Sequence, residues 1–303
     1  MKALRYKGGE TMITQNFILN AKLTLSVQKT RISASNRIYS HQVESIIRGH
    51  PSYPQLLAMR KNKSADRKET AAYMKKLLKE SLGSMNLSEE IFTKSFEDAK
   101  AQNTVYQLLL QAEEEGFKNL LPELKTIPIY NWLHDVKGLG IRYSVKLIYN
   151  IRDATRFPNP SKLRKYCGTV PGQRFIAGQE AHFSPELKSI LLGQIPGNFL
   201  KANSQYKQIY DAKKSYYTQL HIADLAITEQ KKANKQKLTK EDWTKMKIHH
   251  YAIKAMMNRF ICDLWVCWWL SEGKTPPANI YIANDPKHTI EPPVVAYKQP
   301  LSF

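Results

Sequence analysis

From Trp243 to Trp268 one apolar face persists through about seven turns of a 3.6-residue helix. Trp243, Met246, His250, Ile253, Met257, Phe260, Leu264 and Trp268 recur at steps of three or four, and Gly273 ends the run. A strand cannot carry that period. Lys240, Lys247, Lys254 and Asn258 fall on another face, which predicts a core helix with a basic stripe opposite its buried side. Thr239, with Asp242 three residues on, resembles a capping box at its start.

The same period governs the N-terminal part. Ile18, Ala21, Leu25, Ile32, Tyr39 and Ile46 form one stripe, and Gln28, Ser35 and Gln42 fill its remaining positions. This predicts a long helix with a partly polar seam, packed within the monomer or, as the alternative, in a self-associating coiled coil. A basic helix is expected over residues 64–82, broken at Gly83 and Ser84. Another follows from Ser88 as N-cap, with Phe92, Phe96, Ala99, Tyr106 and Leu110 inward, and Pro122 and Pro128 mark the next boundary. Glu113, Glu114 and Glu115 read as solvated charge. Period-two alternation is too sparse for a substantial sheet, so the expected fold is all-α: long N-terminal helices, then a helical domain. Residues 1–12 read as a leader, with Met12 a candidate start, and 13–128 as a helical arm. Residues 129–273 read as the nucleic-acid-binding domain, and 274–303 as a Pro-rich tail with a short strand at Ile280 to Ile282.

Charge narrows the partner. The chain has 303 residues, with 46 Lys and Arg against 26 Asp and Glu, a formal charge of +20. Its apolar content is that of a globular protein, so the surplus points to a polyanion, nucleic acid first. No apolar run approaches the ~18 residues that span a bilayer, and the richest stretch, Phe260 to Leu270, contains Asp263. No membrane partner is expected, and the expected location is cytoplasmic, associated with the nucleoid. Cys167, Cys262 and Cys267 are odd in number and lack CxxC spacing. Buried free thiols fit their apolar surroundings better than zinc held by Cys262, Cys267, His249 and His250, so no metal or other cofactor is expected.

The sharpest local pattern lies between Trp132 and Ile148. Leu133 and Val136 precede Gly138-Leu139-Gly140, and Ser144, Val145 and Ile148 follow. This is the pattern of a helix-hairpin-helix. Glycines allow a tight turn and close approach to a phosphate, and the second helix's first amides can donate to its oxygens. Lys137, Arg142 and Lys146 add charge that fixes position without reading sequence. Downstream, Arg152, Arg156, Lys162, Arg164, Lys165 and Arg174 alternate with Phe157, Tyr166 and Phe175, a mixture that suits a nucleic-acid strand or, equally, a solvated face with buried rings. Ser161 reads as one helix cap. Ser184-Pro185-Glu186 reads as another, with proline in the first turn.

Val136 to Gly140, then Ile151-Arg152-Asp153-Ala154-Thr155-Arg156-Phe157, then Lys162 to Pro171 resemble the C-terminal half of one transposase family. That family is the DEDD-type insertion-sequence transposases, bridge-RNA-guided and related to the pilin-gene invertases, where a GIG hairpin precedes IGD..RF and L..YAGL.P. The likeness runs on through Leu187 to Leu191 and Ala255 to Trp268, over roughly half the chain. It implies a transposase-like recombination protein with DNA as partner, structured RNA as an alternative ligand, and homo-oligomeric assembly. Two departures bear on catalysis. Nothing before Ile129 resembles the family's metal-binding nuclease domain, so the chain is expected to lack its own. The loop from Gly172 to Gln179, where the family carries a nucleophilic serine, has no hydroxyl side chain. Ser184 is the nearest candidate nucleophile, although an N-cap explains it better. The alternatives are an active serine-type site-specific recombinase working with a partner chain, and a non-catalytic oligomerising scaffold.

Overall fold

A computed structural model describes residues 13–62, 66–173, 176, 178–277 and 292–297. The described residues form α-helices, one π-helical segment and no strand, so the fold is all-α. They fall into two compact units: residues 22–119, and the described residues on either side of that span. The leader and the expected strand at Ile280 lie outside the described residues.

The first unit holds most of α1 (Gln15–Ile47), then α2 (Tyr53–Lys61), α3 (Arg67–Ser84), α4 (Glu89–Gln102) and the first part of α5 (Thr104–Thr126). Val43, Ile47, Leu56 and Leu77 are its buried cluster. Tyr39 meets Phe92 and Phe96 edge-on at 5.8 and 5.4 Å, the approach ring quadrupoles favour. The expected α1 stripe drifts off the core: Ile32 is 46% exposed, while Val43 and Ile47 rather than Ile46 are buried. Its seven-residue spacing slips by ~20° per heptad against a straight helix. Leu25 and Val43, about five whole turns apart, keep the face instead.

The polar seam has a partner. Gln28 Nε2 donates to Glu113 Oε1 at 2.8 Å, and Arg31 Nε donates to Glu113 Oε2 at 2.5 Å. Glu113 is therefore fully buried, against the expectation of solvated charge, while Glu114 and Glu115 are exposed. Two long-range donors make burial of that carboxylate tolerable. Ser88 caps α4 through the Ile91 amide at 3.2 Å, but the helix does not continue to Leu110. Asn103 ends α4 in an extended conformation, and its side chain accepts from the Tyr106 amide at 2.8 Å to start α5. Pro122 lies inside α5, which runs about a turn further.

The second unit is organised by α13 (Lys245–Ser271). Around it lie α6 (Pro128–Asp135), α7 (Ile141–Ile151), α8 (Pro160–Tyr166), α9 (Pro185–Ser189), the π-helical segment Ile190–Gln194, α10 (Ile195–Lys201), α11 (Lys207–Leu220) and α12 (Ile222–Ala233). Trp132 stacks on Phe260 at 5.9 Å, and Phe199 and Tyr206 approach Phe260 edge-on at 5.3 and 5.4 Å. The predicted stripe is buried from Ile253 onward, but Met246 is 61% exposed and His250 is exposed. The helix starts later than the capping box suggested. Asp242 does accept from the Thr239 amide at 2.7 Å, yet Thr244 caps α13 through the Lys247 amide at 3.0 Å.

One buried carboxylate pins the C-terminal segment. Asp263 accepts from Tyr206 Oη at 2.8 Å, Arg259 Nε at 2.8 Å and the Val294 amide at 2.9 Å. Trp132 Nε1 donates to the Val295 carbonyl at 2.7 Å beside it. Burial pushes the Asp263 carboxyl above its usual range, and its three donors pull the other way. Among the described residues no helix is long and apolar enough to cross a membrane.

Candidate nucleic-acid interface

The glycine pattern becomes a turn between α6 and α7. Val136 ends α6, the Leu139 amide donates to the Val136 carbonyl at 3.1 Å, and both side chains are buried. Gly138 takes φ +88°, and a Cβ there would stand 2.9 Å from the Asn198 carbonyl oxygen and 3.2 Å from Ala202 Cβ. Only glycine lets α10 lie this close. Gly140 differs: it is the N-cap of α7 at φ −74°, and its carbonyl accepts from the Tyr143 and Ser144 amides at 3.0 and 3.1 Å. A Cβ on Gly140 would meet nothing within 4 Å. Leu133, Ser144, Val145 and Ile148 are buried, as the apolar frame predicted.

An open groove of about 1170 Å³ runs along this turn. Lys137, Gly138, Leu139 and Gly140 line it, joined by Lys125 from α5 and Lys201 from α10. Those two lysines are remote in sequence, and no local pattern marks them. Gln205 fixes the turn by accepting from the Lys137 amide at 3.2 Å and donating to the Asp135 carbonyl at 3.3 Å. Of the other predicted cations on α7, Arg142 is half-buried, and Lys146 Nζ donates to Gln194 Oε1 at 3.1 Å.

Arg152 closes α7. Its φ of +63° and ψ of −53°, with the Asp153 amide donating to the Ile151 carbonyl at 2.8 Å, describe a γ-turn of the rare, strained hand. Its side chain is exposed. Beyond it, the Arg156 guanidinium lies 4.6 Å from the Phe157 ring centre and 4.8 Å from that of Tyr166, whose hydroxyl donates to the Asn150 carbonyl at 3.2 Å. These rings are part of the scaffold. Lys162 and Lys165 are exposed and Arg164 half-buried; α8 is capped by Asn159 rather than Ser161, through the Lys162 amide at 3.0 Å. Pro160 occupies the first turn, so the cap must precede it. Arg174 and Phe175 lie outside the described residues.

Residues 130–184 match the profile of the IS116/IS110/IS902 transposase family. The match begins in α6 and ends at Ser184, so it contains the glycine turn, α7, α8 and the loop that follows. No curated protein and no solved structure matches the chain.

Within this transposase-like segment, Gly168 at φ +70° faces Phe183, whose ring would stand 2.5 Å from an added Cβ. Ser184 starts α9: its amide donates to the Tyr166 carbonyl at 2.8 Å, and its hydroxyl accepts from the Leu187 amide at 3.2 Å. Cys167 is buried, and desolvation pushes its thiol up to about 12, which keeps it protonated and unreactive. Burial likewise raises Cys262 and Cys267. Among the described residues no three His, Cys, Asp or Glu side chains gather as metal ligands, the Cys262, Cys267, His249 and His250 set included.

Proposed function

We propose that this transposase-like protein binds DNA through the sugar-phosphate backbone, seated in the groove along Gly138 and Gly140. The observation that carries the proposal is the convergence of Lys125 from α5, Lys137 from the α6–α7 turn and Lys201 from α10 on one open groove beside a glycine turn and a helix start. Cations that line one groove sum to a positive potential, which attracts a phosphate backbone. The first amides of α7 are the donors that helix geometry leaves over, and its dipole favours a phosphate there. Arg152, Lys162 and Lys165, exposed on the same transposase-like segment, extend the contact. Such contacts position a duplex and carry no base readout.

Ser184 enters this reading as a helix cap rather than a nucleophile, because its hydroxyl is engaged by Leu187. Recovery of a covalent DNA adduct lost in Ser184→Ala would reverse that assignment and favour the recombinase reading.

Mobility-shift titration across salt tests the proposal, with duplex DNA and hairpin RNA run side by side. On duplex DNA the log–log salt slope should shrink by about 0.9 for each of Lys125, Lys137 and Lys201 changed to Gln. Changing Lys231 and Lys232, which are held by Asp242 and Glu229, should matter much less. An unchanged slope in the groove variant, or no shift of duplex DNA at low salt, would overturn it. Retention of the RNA alone would move the groove to a different ligand.

A further inference from the structure

A second surface, outside the groove, joins α11, α12 and α13 through a continuous row of rings. Tyr216 lies 5.3 Å from Tyr217, Tyr217 lies 5.6 Å from Tyr251, and Tyr251 lies 5.2 Å from Trp243. Trp243 in turn stacks on His221 at 3.4 Å with an interplanar angle of 13°. Four of these are aromatic residues that a core would ordinarily cover, yet Tyr216 is 54% exposed and Tyr251 is 40% exposed. Leu220, Ile222 and Met246, on the same elements, are exposed as well. Exposed rings and apolar side chains at this density mark an interaction surface.

The charge beside them is positive. Each of three rings carries an ammonium over one face, Lys213 Nζ at 5.5 Å from the Tyr216 centre, Lys254 Nζ at 5.7 Å from that of Tyr251 and Lys247 Nζ at 4.5 Å from that of Trp243, which leaves the opposite face for a base. Two neighbouring carboxylates are engaged: Asp211 pairs with Lys207, and Asp224 with His221. The end of the row is also held rigidly, since Asp224 fixes His221 at 2.9 Å and His221 fixes the indole. Stacking on a preformed platform loses little side-chain freedom.

We infer that this row binds single-stranded nucleic acid, its bases stacking on Tyr216 and Tyr251 while Lys213 and Lys254 meet the phosphates. Rings set between lysines suit a strand whose bases are unpaired, because every base has a π-face and every linkage a charge. A duplex hides those faces. The surface therefore complements the groove: one takes paired DNA by its backbone, the other takes a strand by its bases.

Fluorescence anisotropy with a labelled oligothymidine and a labelled duplex, on the full chain, tests this. Tyr216→Ala with Tyr251→Ala should weaken oligothymidine binding by roughly tenfold per ring and leave the duplex unchanged. The salt slope on the single strand should stay the same in that variant and shrink by about 0.7 in Lys254→Gln. Tyr251→Phe keeps the ring, so wild-type affinity in that variant, alongside loss in Tyr251→Ala, supports stacking and excludes unfolding. Equal loss on both ligands, or no loss on the strand, would overturn the inference. The Lys125, Lys137 and Lys201 variant separates the two sites: failure of the groove proposal would leave its duplex binding intact without touching the result at Tyr216 and Tyr251.

Discussion

A residue with positive φ stands in the turn before helix α7 and another at its end, and only one of the two is glycine. At its N-terminal side Gly138 stands at +88°, and the space a side chain would need is filled by Asn198 and Ala202. At its C-terminal side Arg152 stands at +63° in a strained γ-turn, its side chain exposed and its guanidinium 5.8 Å from the Tyr149 ring centre. The first turn is glycine because the fold requires it. The second carries an arginine in spite of the fold. If that strain is kept for a ligand, relieving it should cost binding.

Gly138→Ala is the strongest way to break this comparison. A side chain at that φ costs about 1–3 kcal/mol, and crowding a backbone carbonyl that cannot rotate away adds about 1–3 kcal/mol. Denaturant unfolding should show a loss of about 2–6 kcal/mol. A loss under about 1 kcal/mol would mean that α10 yields and that the turn is not fixed by packing.

Arg152→Gly runs in the opposite direction. Relief of strain is worth about 1–3 kcal/mol and the added unfolded-chain freedom of glycine takes back about 0.5–1 kcal/mol, so the variant should be more stable by about 1 kcal/mol. Duplex binding should weaken at the same time, with the salt slope smaller by about 0.9. More stability with less binding is the signature of a residue retained for its ligand. A variant that loses stability would place Arg152 among the structural residues and end the contrast with Gly138.

The sequence made some of this legible. Caps written locally were readable: Ser88 and Ser184 each accept the amide three residues on, as their neighbours suggested. The apolar half of α13 was readable because nearly every side of it is buried, which tolerates an error in the face. The stripe of α1 was not, since a half-exposed helix punishes a spacing error over five turns. Glu113 hid for another reason. Its partners Gln28 and Arg31 lie on a different helix, and an acid in a run of three looks solvated until those donors are placed. The groove lysines and the ring row share that limit: Lys125, Lys137 and Lys201, or Tyr216, Tyr251 and Trp243, are assembled by tertiary packing. The basic and aromatic alternation around Phe157 was visible, but its rings are engaged with Arg156.

Gly140 sharpens the comparison with the smallest effect on stability. Its φ of −74° is open to any residue, and an added Cβ would meet no atom of the fold within 4 Å. Serine is a better N-cap than glycine by a few tenths of a kcal/mol, so Gly140→Ser should leave unfolding unchanged or raise stability slightly. Packing therefore supplies no reason for glycine here. The proposed phosphate contact at the first amides of α7 would supply one, because a side chain at the N-cap would crowd its approach. Duplex affinity should fall in Gly140→Ser while stability does not, and less so in Gly140→Ala, whose methyl reaches less far. Full duplex affinity in both variants would remove the backbone approach from the groove and leave binding to the three lysines alone.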